Sequence, residues 1–242
     1  MNNIRKQVVI SVLIMIIFSL TSCGPRFYVS EYDINLEHEE WADEIGLFSH
    51  KNLKVREYEA KSTGIRLELE YDNGVTGYKE LCDVVNAHNK FVEENPDYFP
   101  NDFNVTFTNK HASEYSPSFF SNIRNGSNGL GYISELGRED SAKLLYMCIS
   151  VDGDHTENKE NADIHIDVPI VILQSYNESY TPKGEAYAFL KEFNNLEQVI
   201  IDFWEPGYDK DGVLDAIREY APNAEIYEVK SVNREDHLEK CP

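Results

Sequence analysis

The chain has 242 residues, and its 43 Asp and Glu against 22 Lys and Arg give a formal charge of −21. Hydrophobic residues make up 41% of the chain, an ordinary share for a globular protein, so the acidity does not indicate a disordered chain. A protein this negative is repelled by phosphate backbones, which excludes DNA and RNA as its main partners.

The amino-terminal residues have the pattern of an export signal. Arg5 and Lys6 precede an apolar run from Val8 to Phe18, which is too short to be a stable membrane anchor. The next four residues, Leu20-Thr21-Ser22-Cys23, resemble the lipobox of bacterial lipoproteins. The resemblance implies that a diacylglycerol group is attached to the Cys23 thiol and that a signal peptidase removes residues 1–22. The alternatives are an ordinary secretory signal that contains a chance cysteine and an uncleaved anchor helix.

Cleavage before Cys23 would remove two cations and no acidic residue, so the remaining 220 residues would carry a formal charge of −23. Anionic headgroups repel such a domain, and its membrane attachment would therefore depend on the lipid. More than one acyl chain is enough for stable anchoring. The predicted location is the extracytoplasmic face of the cell membrane, with residues 23–30 as a lipidated tether.

The first half of the predicted domain contains a strand–helix–strand unit. Residues 31–62 are polar and strongly charged, which predicts an arm with one short helix near residues 38–47. Strict alternation from Ile65 to Tyr71 predicts a strand with one solvent-exposed face. A helical pattern over residues 76–94 follows, and alternation returns at Phe103–Phe107.

The middle of the chain predicts a loop insertion and two strands. Residues 109–140 are rich in Ser, Asn and Gly and have no clear period, which is typical of an insertion. The apolar run from Leu144 to Val151 predicts a strand buried on both faces. A second strand is expected at Ile164–Gln174, and we expect the two to pair as a hairpin around an acidic loop.

Helices and strands alternate in the last third of the chain. Thr181-Pro182 and Asp209 are expected to begin two helices, and strands are expected at Val199–Phe203 and Glu225–Val229. Alternation of this kind predicts parallel pairing. The fold class is therefore α/β: a mixed, partly parallel sheet of about six strands with helices packed on it, spanning residues 64–230, with a C-terminal tail over residues 231–242. Two helix–strand segments recur 27–28 residues apart, which leaves open a short leucine-rich-repeat-like stack.

The acidic segment between the two middle strands is the first candidate site. Oxygen-bearing residues recur there at the spacing of a calcium loop, but Glu157 stands where the turn needs Gly and Lys159 stands where an apolar residue should pack. Alternation beyond this loop would place imidazole and carboxylate groups on one strand face, where they could bind Zn²⁺ or Mn²⁺. A solvated hairpin is the alternative. The candidate metal ligands are Asp152, Asp154, Asp163, His165 and Asp167.

The second candidate site lies where parallel strands are expected to end. Ligands of open α/β sheets bind beyond the carboxyl ends of the strands. Aromatic rings beside a carboxylate at these ends could stack on a sugar or hold a peptide. The alternative for Trp204 is that it caps the core. The candidate ligand-binding residues are Tyr176, Glu178, Trp204, Glu205 and Tyr208.

The sequence contains no nucleophile motif, dinucleotide loop or phosphate loop. We therefore expect no cofactor, and we predict a membrane-anchored extracytoplasmic lipoprotein that binds a ligand or a protein partner at the cell surface. One alternative is a metal-dependent hydrolase that uses the acidic hairpin at residues 152–167. The other is a structural, repeat-like interaction surface.

Overall fold

The computed structural model describes residues 36–71, 75–100, 102–109, 117–121, 130–138, 141–151, 164–175, 184–204, 207–232 and 235–242. Within these ranges the strands are β1 (Leu53–Lys61), β2 (Gly64–Tyr71), β3 (Asn104–Asn109), β4 (Ser118–Phe120), β5 (Tyr146–Ser150), β6 (Ile170–Ser175), β7 (Gln198–Phe203), β8 (Glu225–Val232) and β9 (Glu235–Lys240). The helices are α1 (Leu36–Glu44), α2 (Val75–Glu94) and α3 (Lys210–Tyr220), with 3₁₀ helices at Gly131–Leu136 and Gly184–Glu192. None of these helices is long and apolar enough to cross a membrane.

The strands form one mixed sheet in which each strand lies beside its neighbours in sequence, from β1 to β9. Strands β2 and β3 are parallel, and so are the consecutive strands β5, β6, β7 and β8. The remaining pairs are antiparallel. The prediction of a mixed α/β fold is thus confirmed, including parallel pairing in the last third of the chain.

The predicted number of strands was too low, because the described sheet has nine. Strands β1 and β9 lie in the stretches predicted to be a polar arm and a tail, and β4 lies in the predicted loop insertion. Both edge strands are dense in charged residues, a common protection of exposed edges. In β1 the register shifts between Val55 and Glu57, so its alternating apolar residues change phase and the period is interrupted. Strand β4 has only three residues, too few to show alternation.

The predicted hairpin between β5 and β6 is wrong, because the two strands are parallel, with Tyr146 opposite Ile170 and Ser150 opposite Gln174. The chain must therefore return to the amino end of β5 before β6 begins. Residues 164–169 make part of this return, and Ile166 forms a bridge with Phe193 outside the sheet. Strand β6 consequently starts at Ile170, six residues later than predicted.

Both faces of the central strands are buried, as the apolar run predicted for β5. On one face, Met147, Val171 and Val199 belong to a core that also contains residues of all three α-helices. On the other face, Cys148, Ile172 and Ile200 pack with Tyr132 and Ile133 of the first 3₁₀ helix.

Residues 36–61 are part of this core rather than an arm. The side chain of Trp41 in α1 is fully buried, and its indole Nε1 donates a hydrogen bond to Nδ1 of His88 in α2 at 3.1 Å. Leu53 of β1 is buried on the same side of the sheet. Most of the charged residues that suggested an arm are exposed around these apolar contacts, and Arg56 and Glu59 are half-buried.

The helix caps agree in part with the prediction. The Asp209 side chain caps α3 by accepting a hydrogen bond from the backbone N–H of Gly212 at 3.1 Å, as expected. The helix expected after Thr181-Pro182 is a 3₁₀ helix that is described from Gly184 onward, and Thr181 and Pro182 lie outside the described residues.

A close approach at the start of β2 and β3 leads to a prediction about stability. A methyl group on Gly64 would lie 2.4 Å from the carbonyl oxygen of Asn104 on the neighbouring strand. We expect Gly64→Ala to lower the free energy of unfolding by about 1–3 kcal/mol, because the two backbones must move apart. Urea unfolding measures this, with Gly131→Ala as the control, since a methyl group there meets nothing within 4 Å. Equal stability of the two variants would contradict the prediction.

Candidate functional site

A cleft of about 490 Å³ opens at the amino ends of β5, β6 and β7. We call it the amino-end cleft. Its volume is within the range of small-molecule sites, about 300–1,000 Å³. The lining comes from the segments that precede these strands, from the residue after β4 and from Arg138, two residues after the first 3₁₀ helix. The lining residues are Ser121, Arg138, Ser141, Lys143, Leu144, Leu145, Asp167, Pro169, Asn195, Leu196 and Glu197.

Backbone hydrogen bonds link the residues at the starts of β6, β7 and β8, on one side of the cleft. The carbonyl oxygen of Pro169, just before β6, accepts from the N–H groups of Glu197 and Gln198 at 2.9 and 3.1 Å. The carbonyl oxygen of Glu197 in turn accepts from the N–H of Glu225 at 2.8 Å. The starts of β6, β7 and β8 are therefore held side by side, and the residues before β6 and β7 contribute side chains to the cleft.

The charged side chains of the cleft are balanced and partly paired. Arg138 forms an ion pair with Glu197. Lys143 forms an ion pair with Glu93 of α2, and its Nζ lies 3.9 Å from a carboxylate oxygen of Asp167. Two cations and two carboxylates thus line the cleft, with a third carboxylate beside it. All four lining charges are partly exposed, so a ligand can reach them.

Uncharged groups complete the lining. Asn195 donates from its side-chain amide to the Asp167 carboxylate at 2.9 Å, and the exposed position of Asn195 leaves its amide accessible. Leu145, Pro169 and Leu196 are half-buried and supply an apolar surface. An apolar surface with a few convergent polar groups is the usual composition of a small-molecule site.

Two asparagines of α2 hold the cleft in place. Asn89 is fully buried, and its side-chain amide donates to the carbonyl oxygens of Leu144 at 3.2 Å and Asp167 at 2.6 Å. Its side-chain oxygen accepts from the N–H of Leu144 at 2.7 Å. One turn earlier, Asn86 accepts from the N–H of Asp167 at 2.8 Å and donates to the carbonyl oxygen of His165 at 2.6 Å. The backbones on both sides of the cleft are therefore fixed to the same helix.

The predicted metal ligands are only partly described. Asp167 lines the amino-end cleft, and the His165 side chain is exposed beside it. Among the described residues, no three His, Cys, Asp or Glu side chains come together as a possible metal group. Three of the five predicted ligands, Asp152, Asp154 and Asp163, lie outside the described residues, so the metal site stays a prediction.

Two of the five predicted carboxyl-end residues, Trp204 and Tyr208, are described. The Trp204 side chain is 71% exposed, so the alternative that it caps the core is wrong. Tyr208 is half-buried: its ring meets that of Phe203 at a centroid distance of 4.9 Å, and its hydroxyl donates to Glu228 at 2.7 Å. The other predicted residues, Tyr176, Glu178 and Glu205, lie outside the described residues.

A buried carboxylate anchors this end of the sheet. Glu228 on β8 is 7% exposed and forms ion pairs with Lys210 and with Lys230, the latter at 2.7 Å. Burial alone would raise the pKa of Glu228, but hydrogen bonds from both lysines and from Tyr208 outweigh it and lower the pKa to about 2. Tyr208, Lys210 and Lys230 thus all bind Glu228 within the fold, which indicates a structural role for these residues.

Sequence reasoning did not identify most of the cleft. Arg138, Lys143, Asn195 and Glu197 belong to loops before strands, whereas ligand sites of open sheets are expected at the opposite, carboxyl ends. The available signal was weak: Arg138 and Lys143 are two cations of a strongly acidic chain, placed just before an apolar run.

Comparison of the chain with protein-family models, with curated proteins and with solved structures gave no match. What the protein does must therefore be inferred from its own residues.

Proposed function

We propose that this chain is a lipid-anchored extracytoplasmic protein that binds a small polar ligand in the amino-end cleft. The observation that carries the binding role is the cleft itself, in which partly exposed donors and acceptors converge above an apolar surface. The lipobox-like Leu20-Thr21-Ser22-Cys23 supports the anchor and the location. The strongly acidic body supports an anchor made of lipid rather than of protein charge.

The anchor is tested by substituting the cysteine that would carry the lipid. We expect Cys23→Ala to move nearly all of the protein from the membrane fraction to the soluble fraction, because no acyl chain can then be attached. Mass spectrometry of the unsubstituted protein should find Cys23 as the first residue, with a diacylglycerol group. Cys241→Ser is the control, since it removes another thiol and should leave the protein on the membrane. A Cys23→Ala protein that stays on the membrane would indicate an uncleaved anchor helix.

The order of the parallel strands supports a repeat-like organisation of the C-terminal part. Strands β6, β7 and β8 begin at residues 170, 198 and 225, at intervals of 28 and 27 residues. Their first residues stand opposite one another in the sheet. We propose that these strands and the helices between them are a short leucine-rich-repeat-like stack, in which the segments before β6 and β7 form one part of the cleft.

A further inference from the structure

The polar groups of the amino-end cleft are present as donor–acceptor pairs. Arg138 pairs with Glu197, Lys143 lies 3.9 Å from Asp167, and Asn195 donates to Asp167 at 2.9 Å. Each pair leaves unused capacity, since a guanidinium has five N–H donors and a carboxylate has about four acceptor sites. A ligand can therefore add hydrogen bonds to these groups without separating them.

Charge argues against an ionic ligand. The lining has two cations and two carboxylates, and Glu93 adds a third carboxylate next to Lys143. The whole chain carries −21, so a phosphate, a nucleotide or a dicarboxylate is repelled before it reaches the cleft. A cationic ligand would be attracted by the net charge of the chain, but inside the cleft Arg138 and Lys143 already neutralise Glu197 and Asp167 and would repel it.

An uncharged ligand with many hydroxyl groups fits both observations. Each hydroxyl donates once and accepts through two lone pairs, so neighbouring hydroxyls can bond a cation and its carboxylate partner together. Hydrogen bonds to charged groups are about twice as strong as those between neutral groups. The C–H face of a sugar ring can rest on the half-buried Leu145, Pro169 and Leu196.

We infer that the amino-end cleft binds an uncharged saccharide of one or two rings, an assignment that rests on the proposed small-ligand function. A volume of about 490 Å³ suits a ligand of that size. Asn195 is the residue best placed to test the assignment. Its side chain is exposed, its amide contacts Asp167 within the cleft, and its removal leaves no buried group unpaired.

The test is calorimetric titration of the full chain, purified in a detergent without sugar groups. Three panels are titrated: uncharged mono- and disaccharides, free amino acids with dipeptides, and inorganic phosphate with citrate. We expect at least one saccharide to bind with a Kd below about 1 mM, and the other panels to give no binding. Asn195→Ala should weaken the binding of that saccharide at least about tenfold, because the NH₂ group and the carbonyl oxygen of the side chain are both lost. Lys143→Gln should do the same.

The matched control is Asn194→Ala, because Asn194 is an exposed neighbour that does not line the cleft. It should bind the saccharide as the unsubstituted chain does. Saccharide binding that Asn195→Ala and Lys143→Gln leave unchanged would overturn the assignment of the site. Binding of an amino acid, dipeptide or anion that these substitutions weaken would overturn the saccharide class and leave the proposed function standing. If no member of any panel binds, both are overturned.

Discussion

Lowering the pH from about 7 to about 4.5 is expected to destabilise the protein by about 2 kcal/mol more than it destabilises a His88→Gln variant. His88 has no exposed surface. Its Nδ1 accepts from the indole of Trp41 at 3.1 Å, and its Nε2 lies 2.8 Å from the carbonyl oxygen of Ala142. Because Nδ1 is an acceptor, the ring is neutral and Nε2–H is the donor to Ala142.

Burial is the main reason why the neutral ring persists in acid. It lowers the pKa of His88 to about 4, against a smaller opposing effect of the hydrogen bond to Ala142. In the unfolded chain the ring has a pKa of about 6.5, so the unfolded state takes up the proton first as the pH falls. The contribution of neutral His88 to stability is therefore complete above about pH 6.5. It is lost progressively as the pH falls toward about 4.

Urea unfolding of both proteins over this pH range measures the effect. The difference between the two curves removes the changes that they share, such as the relief of repulsion among the many carboxylates. Glu228 contributes little to the change in stability between about pH 7 and about pH 4.5. Its pKa is lowered from 4.5 to about 2, so its stabilising effect is lost mainly below pH 4.5. His165→Gln, which removes an exposed histidine, should follow the unsubstituted protein. Parallel curves for the unsubstituted protein and His88→Gln would contradict the prediction.

The parts of the fold that were predictable are those with a local signal. The apolar runs of β5 and β7 and the Asp209 cap of α3 are each readable within a few residues. Parallel pairing of β6 to β8 followed from the alternation of strands and helices. The edge strands β1 and β9 were not predictable. A bulge changes the phase of the apolar residues in β1, and the charged residues that protect β9 leave Leu238 as its one apolar residue.

The orientation of β6 depends on contacts far away in the sequence, which a local pattern does not contain. Asn86 and Asn89 hold residues 165 and 167 on α2, nearly 80 positions earlier in the chain. The amino-end cleft was hidden for the same reason. Its lining comes from several separate loops that meet only because each strand lies beside the next. Asp167 is the one predicted site residue that the described part of the chain places there.

Asn89→Leu is expected to lower the free energy of unfolding by at least about 3 kcal/mol, because three backbone groups lose their side-chain partner at about 1–3 kcal/mol each. These groups are the N–H and carbonyl of Leu144 and the carbonyl of Asp167. Leucine has as many side-chain heavy atoms as asparagine, so the substitution removes the hydrogen bonds without leaving a cavity. Urea unfolding at neutral pH gives the value.

Asn86→Ala is the matched control on the same face of α2. Asn86 also makes two hydrogen bonds to the segment before β6, one to the carbonyl of His165 and one to the N–H of Asp167. It is only half-buried, however. Water can replace its amide, so we expect a loss of about 1 kcal/mol. Equal losses for the two variants would contradict the role assigned to burial. Asn89 fixes the backbone of both Leu144 and Asp167, which line the amino-end cleft. We therefore expect Asn89→Leu also to lower the affinity of the cleft for its ligand. If Asn89 only stabilised the fold, the folded fraction of the variant would bind with unchanged affinity.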